Sequence, residues 1–389
     1  MTKLIDQINN NLKNAKENSI LQFNKEISQI EDLIPLTLGE PDFNTPDHIK
    51  AAAIAAINNN ESHYSNPRGI MPLRQAVSKF LADKYDLHYD AETQIITTAG
   101  VTEGIYDTLA TILNPGDNVI IPSPTFPMYQ DDVAINGANA VAVDTSADGF
   151  ILTPDKLEAT LTALDGKAKA VIINTPGNPT GVAYTAEQLE ALAKVIEQHN
   201  LFCISDEIYS ELTYDQKHVS IAKFIPENTI LLNGMSKSHA MTGWRVGFIL
   251  GPADLIDRIN VVHQFAVTCV TDNAQFAALE GLQNGPDDGL KMKEKYIVRR
   301  DILRDGLQAA GFESPQPGGA FYIFAKIPAQ FNQDDFEFAR ELAFKAKVGV
   351  IPGSSFGKGG EGYIRLSYAA SKDNIEHVVE RIKAFVANN

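Results

Sequence analysis

Residues 229–250 read TILLNGMSKSHAMTGWRVGFIL. Its two flanks, 229–232 and 246–250, are short, apolar and uncharged, the pattern of buried strands. Between them lies a polar, glycine-punctuated segment that carries Ser236, Lys237, Thr242 and Arg245. A lysine just past the end of a buried strand is partly desolvated, and Arg245 sets a second cation nearby. Both effects disfavour the ammonium and lower its pKa, which frees the amine as a nucleophile toward a carbonyl. The same residues also fit a solvated loop lysine, and this stretch does not separate the two readings.

Outward from it, strand-like runs recur at 94–98, 118–122, 140–143, 170–174 and 201–205. Helical stretches read at 71–85, 103–113 and 186–199, and at 46–57 with Thr45 as N-cap and Pro46 in the first turn. Short apolar strands alternating with helices predict an α/β fold with a mostly parallel sheet covered on both faces. The first thirty-odd residues show only weak helical periodicity. Beyond Asn284-Gly285-Pro286 the style changes to a long charged helix over 290–310, the run GGAFYIF at 318–324, a helix near 335–347 and a strand over 362–367. That is the pattern of a smaller α+β unit, with the boundary at Gly285. The glycine-rich GKGGEG at 357–362 lacks the helix that a phosphate loop needs and reads as a plain loop.

A chain of 389 residues predicts two domains. Its 44% hydrophobic and 21% charged content are those of a soluble globular protein. A net charge of -16 argues against nucleic acid or an anionic membrane as partner, since either needs a basic face. Cys203 lies in an apolar run and reads as core; with Cys269 the only other cysteine, no metal site is expected. The N-terminus is polar without an apolar stretch, so no signal peptide is expected, and no run approaches the ~18 apolar residues of a membrane span. The expected localisation is cytoplasmic.

In open α/β sheets, ligands sit outside the carboxyl ends of the strands. After 94–98 comes Ala99-Gly100-Val101-Thr102-Glu103, a glycine turn opening a helix, whose free N–H groups and dipole suit a phosphate. After 118–122 a proline-rigid turn presents Phe126, a ring that ordinary packing would use equally well. After 170–174, Thr175-Pro176-Gly177-Asn178-Pro179-Thr180-Gly181 fixes a tight turn around Asn178. After 201–205 come Asp206 and Tyr209; the carboxylate suits a protonated ring nitrogen, or a helix N-cap. No one position decides, but four strand ends converging with Lys237 at one sheet edge point to a single site.

With these motifs in place, S-K-S-H-A-M-T-G-W-R-V-G resembles the Schiff-base lysine segment of the class I aminotransferases dependent on pyridoxal 5′-phosphate (PLP), with Lys237 as the lysine. The resemblance runs from Leu36 to Ser367 in the family's order. It implies fold type I, with a large cofactor-binding domain over 48–285 and a small domain over 286–389 joined by residues 1–47. It implies that Asn178 and Tyr209 bond the cofactor's ring hydroxyl and that Asp206 pairs with the ring nitrogen. Val101, Thr102, Ser236 and Arg245 would hold the phosphate, with Phe126 stacked on the ring. Tyr64, in HYSNPRG, matches a tyrosine that reaches a neighbouring subunit's phosphate, which implies a homodimer with shared sites. Gly39 and Arg365 match positions that hold the substrate α-carboxylate.

Three departures accompany the match. Gly234 stands where the family often has a hydroxyl, Phe126 where many members have tyrosine or tryptophan, and Thr102 where some relatives favouring acidic substrates have lysine. The chain is most similar to bacterial enzymes acting on aromatic amino acids, with relatives assigned to aspartate or acylated diaminopimelate. The expected reaction moves an amino group from an L-amino acid, aromatic favoured, to a 2-oxo acid such as 2-oxoglutarate. A carbon–sulfur β-lyase would keep the same lysine and aspartate. A PLP-sensing DNA-binding regulator would need a winged helix of roughly seventy residues ahead of the motifs, whereas they begin by Leu36.

Overall fold

The computed structural model describes residues 3–12 and 19–388. A two-residue strand, β1 (Ile34–Pro35), precedes a seven-stranded sheet made of β2 (Ile95–Thr98), β3 (Asn118–Ser123), β4 (Asn139–Asp144), β5 (Ala170–Asn174), β6 (Phe202–Asp206), β7 (Thr229–Gly234) and β8 (Gly247–Leu250). The spatial order is β2-β8-β7-β6-β5-β3-β4. From β4 to β7 every pairing is parallel, while β8 runs antiparallel to both β7 and β2. A parallel return needs a crossover of a dozen or more residues, usually a helix. The β7–β8 connection holds only a one-turn helix, Met235–Ser238, and a 3-10 turn, Thr242–Trp244, so the chain comes back antiparallel. Lys237 is thereby fixed at the carboxyl edge of the sheet.

Helices cover both faces, as the uninterrupted apolar strands require. On one face Ile105 and Leu109 of helix Val101–Ile112 and Ile259 of helix Ala253–Val267 pack on Ile172, Ile204 and Ile230. On the other, Leu189, Leu192 and Ile196 of helix Ala186–Gln198 close over Val171 and Cys203. Each such fully buried side chain contributes about 1.5–3 kcal/mol relative to exposure. Helix Ala186–Gln198 opens on a capping box, with the Thr185 hydroxyl accepting from the Gln188 N–H and the Gln188 side chain accepting from Thr185 N–H. The helix expected over 46–57 runs Asp47–Asn58, and Pro46 rather than Thr45 occupies its cap position. Thr45 is diverted because its hydroxyl donates to the Ala240 carbonyl at 2.7 Å and accepts from Trp244 Nε1 at 3.0 Å.

The C-terminal part builds a second, antiparallel sheet of order β11-β12-β9 from β9 (Tyr322–Lys326), β11 (Ile351–Pro352) and β12 (Tyr363–Ser367); between them β10 (Val348–Gly349) pairs parallel with β1. The helix expected over 335–347 is helical over Asp335–Glu341 and continues as a π-turn, Leu342–Ala346. Helix Ser19–Ile27 carries the weak periodicity of the N-terminal stretch, whose residues 1–2 and 13–18 lie outside the described ones. Its Phe23 and Ile27 share a core with Ile323, Phe338 and Ile375. No described helix is long and apolar enough to cross a membrane.

Candidate active site

A cleft of about 370 Å³ opens where the carboxyl edge of the large sheet faces β12 and the segment after β1. All of the site residues expected from the sequence line it except Tyr64. Lys237, in the one-turn helix after β7, is the only lysine among its described lining residues. Its Nζ donates to the Gly39 carbonyl at 2.5 Å and lies 5.8 and 5.7 Å from the ring centroids of Tyr209 and Phe321. Burial lowers its pKa to about 8; Glu40 opposes the shift, and Arg245 and Arg365 add to it. That enclosure rules out the solvated loop lysine, and it makes burial, more than Arg245, the main cause.

Asp206 ends β6 as a buried side chain. Its Oδ2 accepts from the Tyr129 hydroxyl at 2.6 Å and its Oδ1 from the Ile208 N–H at 3.1 Å. Burial pushes its carboxyl up to about 6, against the lowering effect of those two bonds. The helix-cap alternative fails: the turn that follows, Ser210–Leu212, has Tyr209 at its cap position. The next strand, β5, contributes Asn178 through its proline-rich turn. The Asn178 N–H donates to Asn174 Oδ1 at 2.8 Å, and its own Oδ1 accepts from Arg365 Nη1 at 2.9 Å.

Arg365 sits in the middle of β12 with its guanidinium between two aromatic rings, 4.6 Å from Tyr322 and 4.8 Å from Phe356. Its Nη2 donates to the Thr37 carbonyl, while its buried Nε has no hydrogen-bond partner among the described residues. A buried donor left unsatisfied costs about 1–3 kcal/mol, so it marks a place where a ligand oxygen is expected. Tyr322 also joins the Tyr209 hydroxyl to its own at 2.7 Å and lies against Gly39, where any Cβ would overlap its hydroxyl.

The cleft lining also brings free helix N–H groups and a cation together. Helix Val101–Ile112 starts at Gly100, and its first N–H groups precede any intrahelical acceptor. Gly100 has φ +84, and a Cβ there would run into the Arg245 guanidinium, so glycine lets that cation rest on the helix start. Arg245 donates to the carbonyls of Thr242 and Ala99 at 3.0 and 3.3 Å. Buried Ser236 lines the same cleft. The hydroxyl absent at Gly234 has a steric cause: a Cβ there would meet the Val246 carbonyl at 2.8 Å. Phe126 reaches the cleft and meets Tyr129 edge-on at 5.6 Å.

Sequence reasoning missed Tyr129, Tyr322 and Phe356. Their partners lie far away in the chain, Tyr129 and Phe356 stand beside polar and glycine residues that form no motif, and the only available signal was the run GGAFYIF around Tyr322. Tyr64 lies outside the cleft and is 88% exposed.

Comparison with known proteins agrees with this geometry. The family described as "Aminotransferase class I and II" matches residues 31–382. A probable N-acetyl-LL-diaminopimelate aminotransferase of Bacillus subtilis is 44% identical over 97% of this chain and 95% of its own. An aspartate aminotransferase of Pyrococcus horikoshii is 37% identical over 95% of this chain and 94% of its own. The crystal structure of an aromatic aminotransferase from Pyrococcus horikoshii superposes with a TM-score of 0.88 at 35% identity, covering 94% of this chain and 99% of that one. With its glycine-opened helix start beside Arg245, enclosed lysine and buried arginine in the family's order, this chain belongs to the class I and II aminotransferases.

Proposed function

We propose that the chain is a PLP-dependent aminotransferase that takes the amino group of an aromatic L-amino acid and gives it to a 2-oxo acid such as 2-oxoglutarate. The observation that carries this reading is the pairing, in the lining of one cleft, of an enclosed lysine whose pKa burial lowers with a buried arginine whose Nε lacks a hydrogen-bond partner among the described residues. The anion-binding start of helix Val101–Ile112, the Arg245 cradle over Gly100 and the buried Asp206 carboxylate fit a phosphorylated pyridine cofactor. Val101, Thr102, Ser236 and Arg245 would hold its phosphate, Asn178 and Tyr209 its ring hydroxyl, Asp206 its ring nitrogen and Phe126 its face. When bound, PLP supplies a carbonyl for the amino group and a ring that accepts electrons from Cα.

This chain's own residues supply the rest. Arg365 binds the substrate α-carboxylate beside Gly39 and sets the Cα–H bond toward Lys237. Lys237 Nζ moves the Cα proton, for which a pKa near 8 suits an amine working near neutrality. Asp206, made harder to ionise by burial, is stabilised as an anion only opposite a cation.

The cations lining the cleft among the described residues are Lys237, Arg245 and Arg365, each with one of these tasks, while Ile20, Leu21, Leu38, Ile105 and Met128 add apolar wall. A buried side-chain carboxylate would lack a partner there, whereas an aromatic side chain gains from burial. Phenylalanine or tyrosine should therefore exceed aspartate in kcat/KM, and the second carboxylate of 2-oxoglutarate has to be served by a movable arginine or a hydrogen-bond network beyond these three cations. The 44% identity to a probable N-acetyl-LL-diaminopimelate enzyme favours a second reading. A donor panel with 2-oxoglutarate, containing phenylalanine, tyrosine, aspartate and N-acetyl-LL-diaminopimelate, decides by the order of kcat/KM. Aspartate in first place sinks the aromatic assignment, and the acylated donor in first place selects the second reading.

We further read the chain as a homodimer with shared sites, in which Tyr64 reaches the neighbouring subunit's phosphate. Its exposure outside its own cleft supports this, as does the apolar face that Phe265 (87% exposed) and Val261 (46%) present one helical turn apart. The shared core of Phe23, Ile27 and Leu36 with C-terminal residues supports a small domain made of 1–47 and 286–389, against a large one over 48–285.

A further inference from the structure

Outside the cleft, helix Ala253–Val267 buries a titratable group that the reaction does not use. His263 is 0% exposed at its side chain. Its Nδ1 lies 2.8 Å from Glu103 Oε1 and 3.5 Å from Asp107 Oδ2, and its Nε2 lies 2.8 Å from the Pro67 carbonyl. A carbonyl accepts only, so Nε2 donates; Nδ1 facing a carboxylate donates as well. The ring is therefore an imidazolium, which leaves no lone pair for a metal although these three side chains are close enough to ligate one. Burial would lower its pKa, but the neighbouring Asp107 and Glu103 carboxyls prevail and raise it to about 9, while burial raises that of Asp107.

The bonds to Glu103 and Pro67 lead to the two segments that the proposed function places at phosphate sites. Glu103 uses its other oxygen, Oε2, to accept the Ala99 N–H at the turn that opens helix Val101–Ile112, while Arg245 holds the Ala99 carbonyl. Pro67 lies three residues after Tyr64 in a stretch without regular secondary structure. That stretch is also pinned where Arg68 O accepts from Thr97 N at 2.9 Å and where Ser65 Oγ accepts from Gln275 at 3.0 Å. The His263 ring joins the two segments through one buried cation.

We infer that His263 is a positioning residue that ties the phosphate turn of its own subunit to the Tyr64 segment completing the neighbouring subunit's site, so that cofactor retention at the two sites is mechanically linked. This rests on the shared-site reading, and the test separates the two claims. Hybrid dimers are made in which only one subunit keeps Lys237, so that the visible absorption of lysine-held PLP reports one site. In the first arm a subunit carrying both His263→Gln and Lys237→Ala is paired with a wild-type subunit, and PLP release is followed at the wild-type site. In the second, a His263→Gln subunit is paired with a Lys237→Ala subunit, and release is read at the altered subunit's own site. A wild-type subunit paired with Lys237→Ala sets the baseline, and Tyr64→Phe with Lys237→Ala in the partner tests sharing.

Loss of a buried, charge-assisted bond should speed release by about tenfold in both arms. A subunit merely loosened by the substitution would speed release from its own site and leave the wild-type site at baseline. That outcome, or no change in either arm, overturns the inference. If Tyr64→Phe in the partner also leaves the baseline unmoved, the shared-site reading falls with it. Should His263→Gln give no folded dimer, Glu103→Gln enters the same arms, since it keeps an oxygen for Ala99 and removes the ring's anionic partner. Faster release in both arms is again expected, and baseline release in both again overturns the inference.

Discussion

At the scale of single residues, the chemistry follows from which groups the fold takes out of water. Lys237 in the cofactor-free protein has its pKa lowered by burial to about 8, so the unfolded chain binds more protons than the folded one between about 8 and the ordinary 10.5. Stability of the cofactor-free protein should rise with pH across that window, and labelling of Lys237 by an amine reagent should titrate with a midpoint near 8. A midpoint near 10.5 would return the lysine to solvent. Asp206 works in the opposite sense: its folded pKa of about 6 lies above the ordinary 3.8, so the folded state holds the extra proton and loses stability as pH rises from about 4 to 6. Asp206→Asn should remove that pH-dependent loss in the cofactor-free protein and still cut kcat by orders of magnitude; near-normal kcat would end the assignment. The place of Lys237 at the sheet edge was legible because its motif is local. The clamp on Arg365 was not, since Tyr322, Phe356, Asn178 and Thr37 meet it from four separate parts of the chain.

Among elements, the seven apolar runs were legible as strands because two-sided burial leaves a continuous hydrophobic signature. Their ends drifted by a residue or two, and the Thr45 cap failed because a tertiary contact with Ala240 and Trp244 claimed its hydroxyl. The direction of β8 was not legible, since hydrophobic pattern carries no strand polarity. The turn at Gly100 is the element on which the proposed phosphate cradle depends. Gly100→Ala would force a side chain into a positive-φ position already occupied by Arg245, costing at least ~1 kcal/mol. A lower Tm of the cofactor-free protein and weaker retention of PLP are expected together. Unchanged values of both would mean that the turn does not set the cradle.

For the whole molecule, the sequence pointed beyond one chain through Tyr64, which the structure leaves exposed and away from its own cleft. Mixing inactive Tyr64→Ala and Lys237→Ala variants should restore part of the activity, because a hybrid dimer has one site free of both defects. Demonstrated subunit exchange without recovered activity would contradict shared sites. Neither composition nor motif distinguishes amino transfer from β-elimination, since both use the same lysine and aspartate. The most direct test supplies the PLP-loaded enzyme with an amino donor and no 2-oxo acid, and counts product per subunit. Amino transfer predicts one keto acid per site, then arrest until 2-oxoglutarate is added; continuous release of keto acid and ammonia from the donor alone would contradict it.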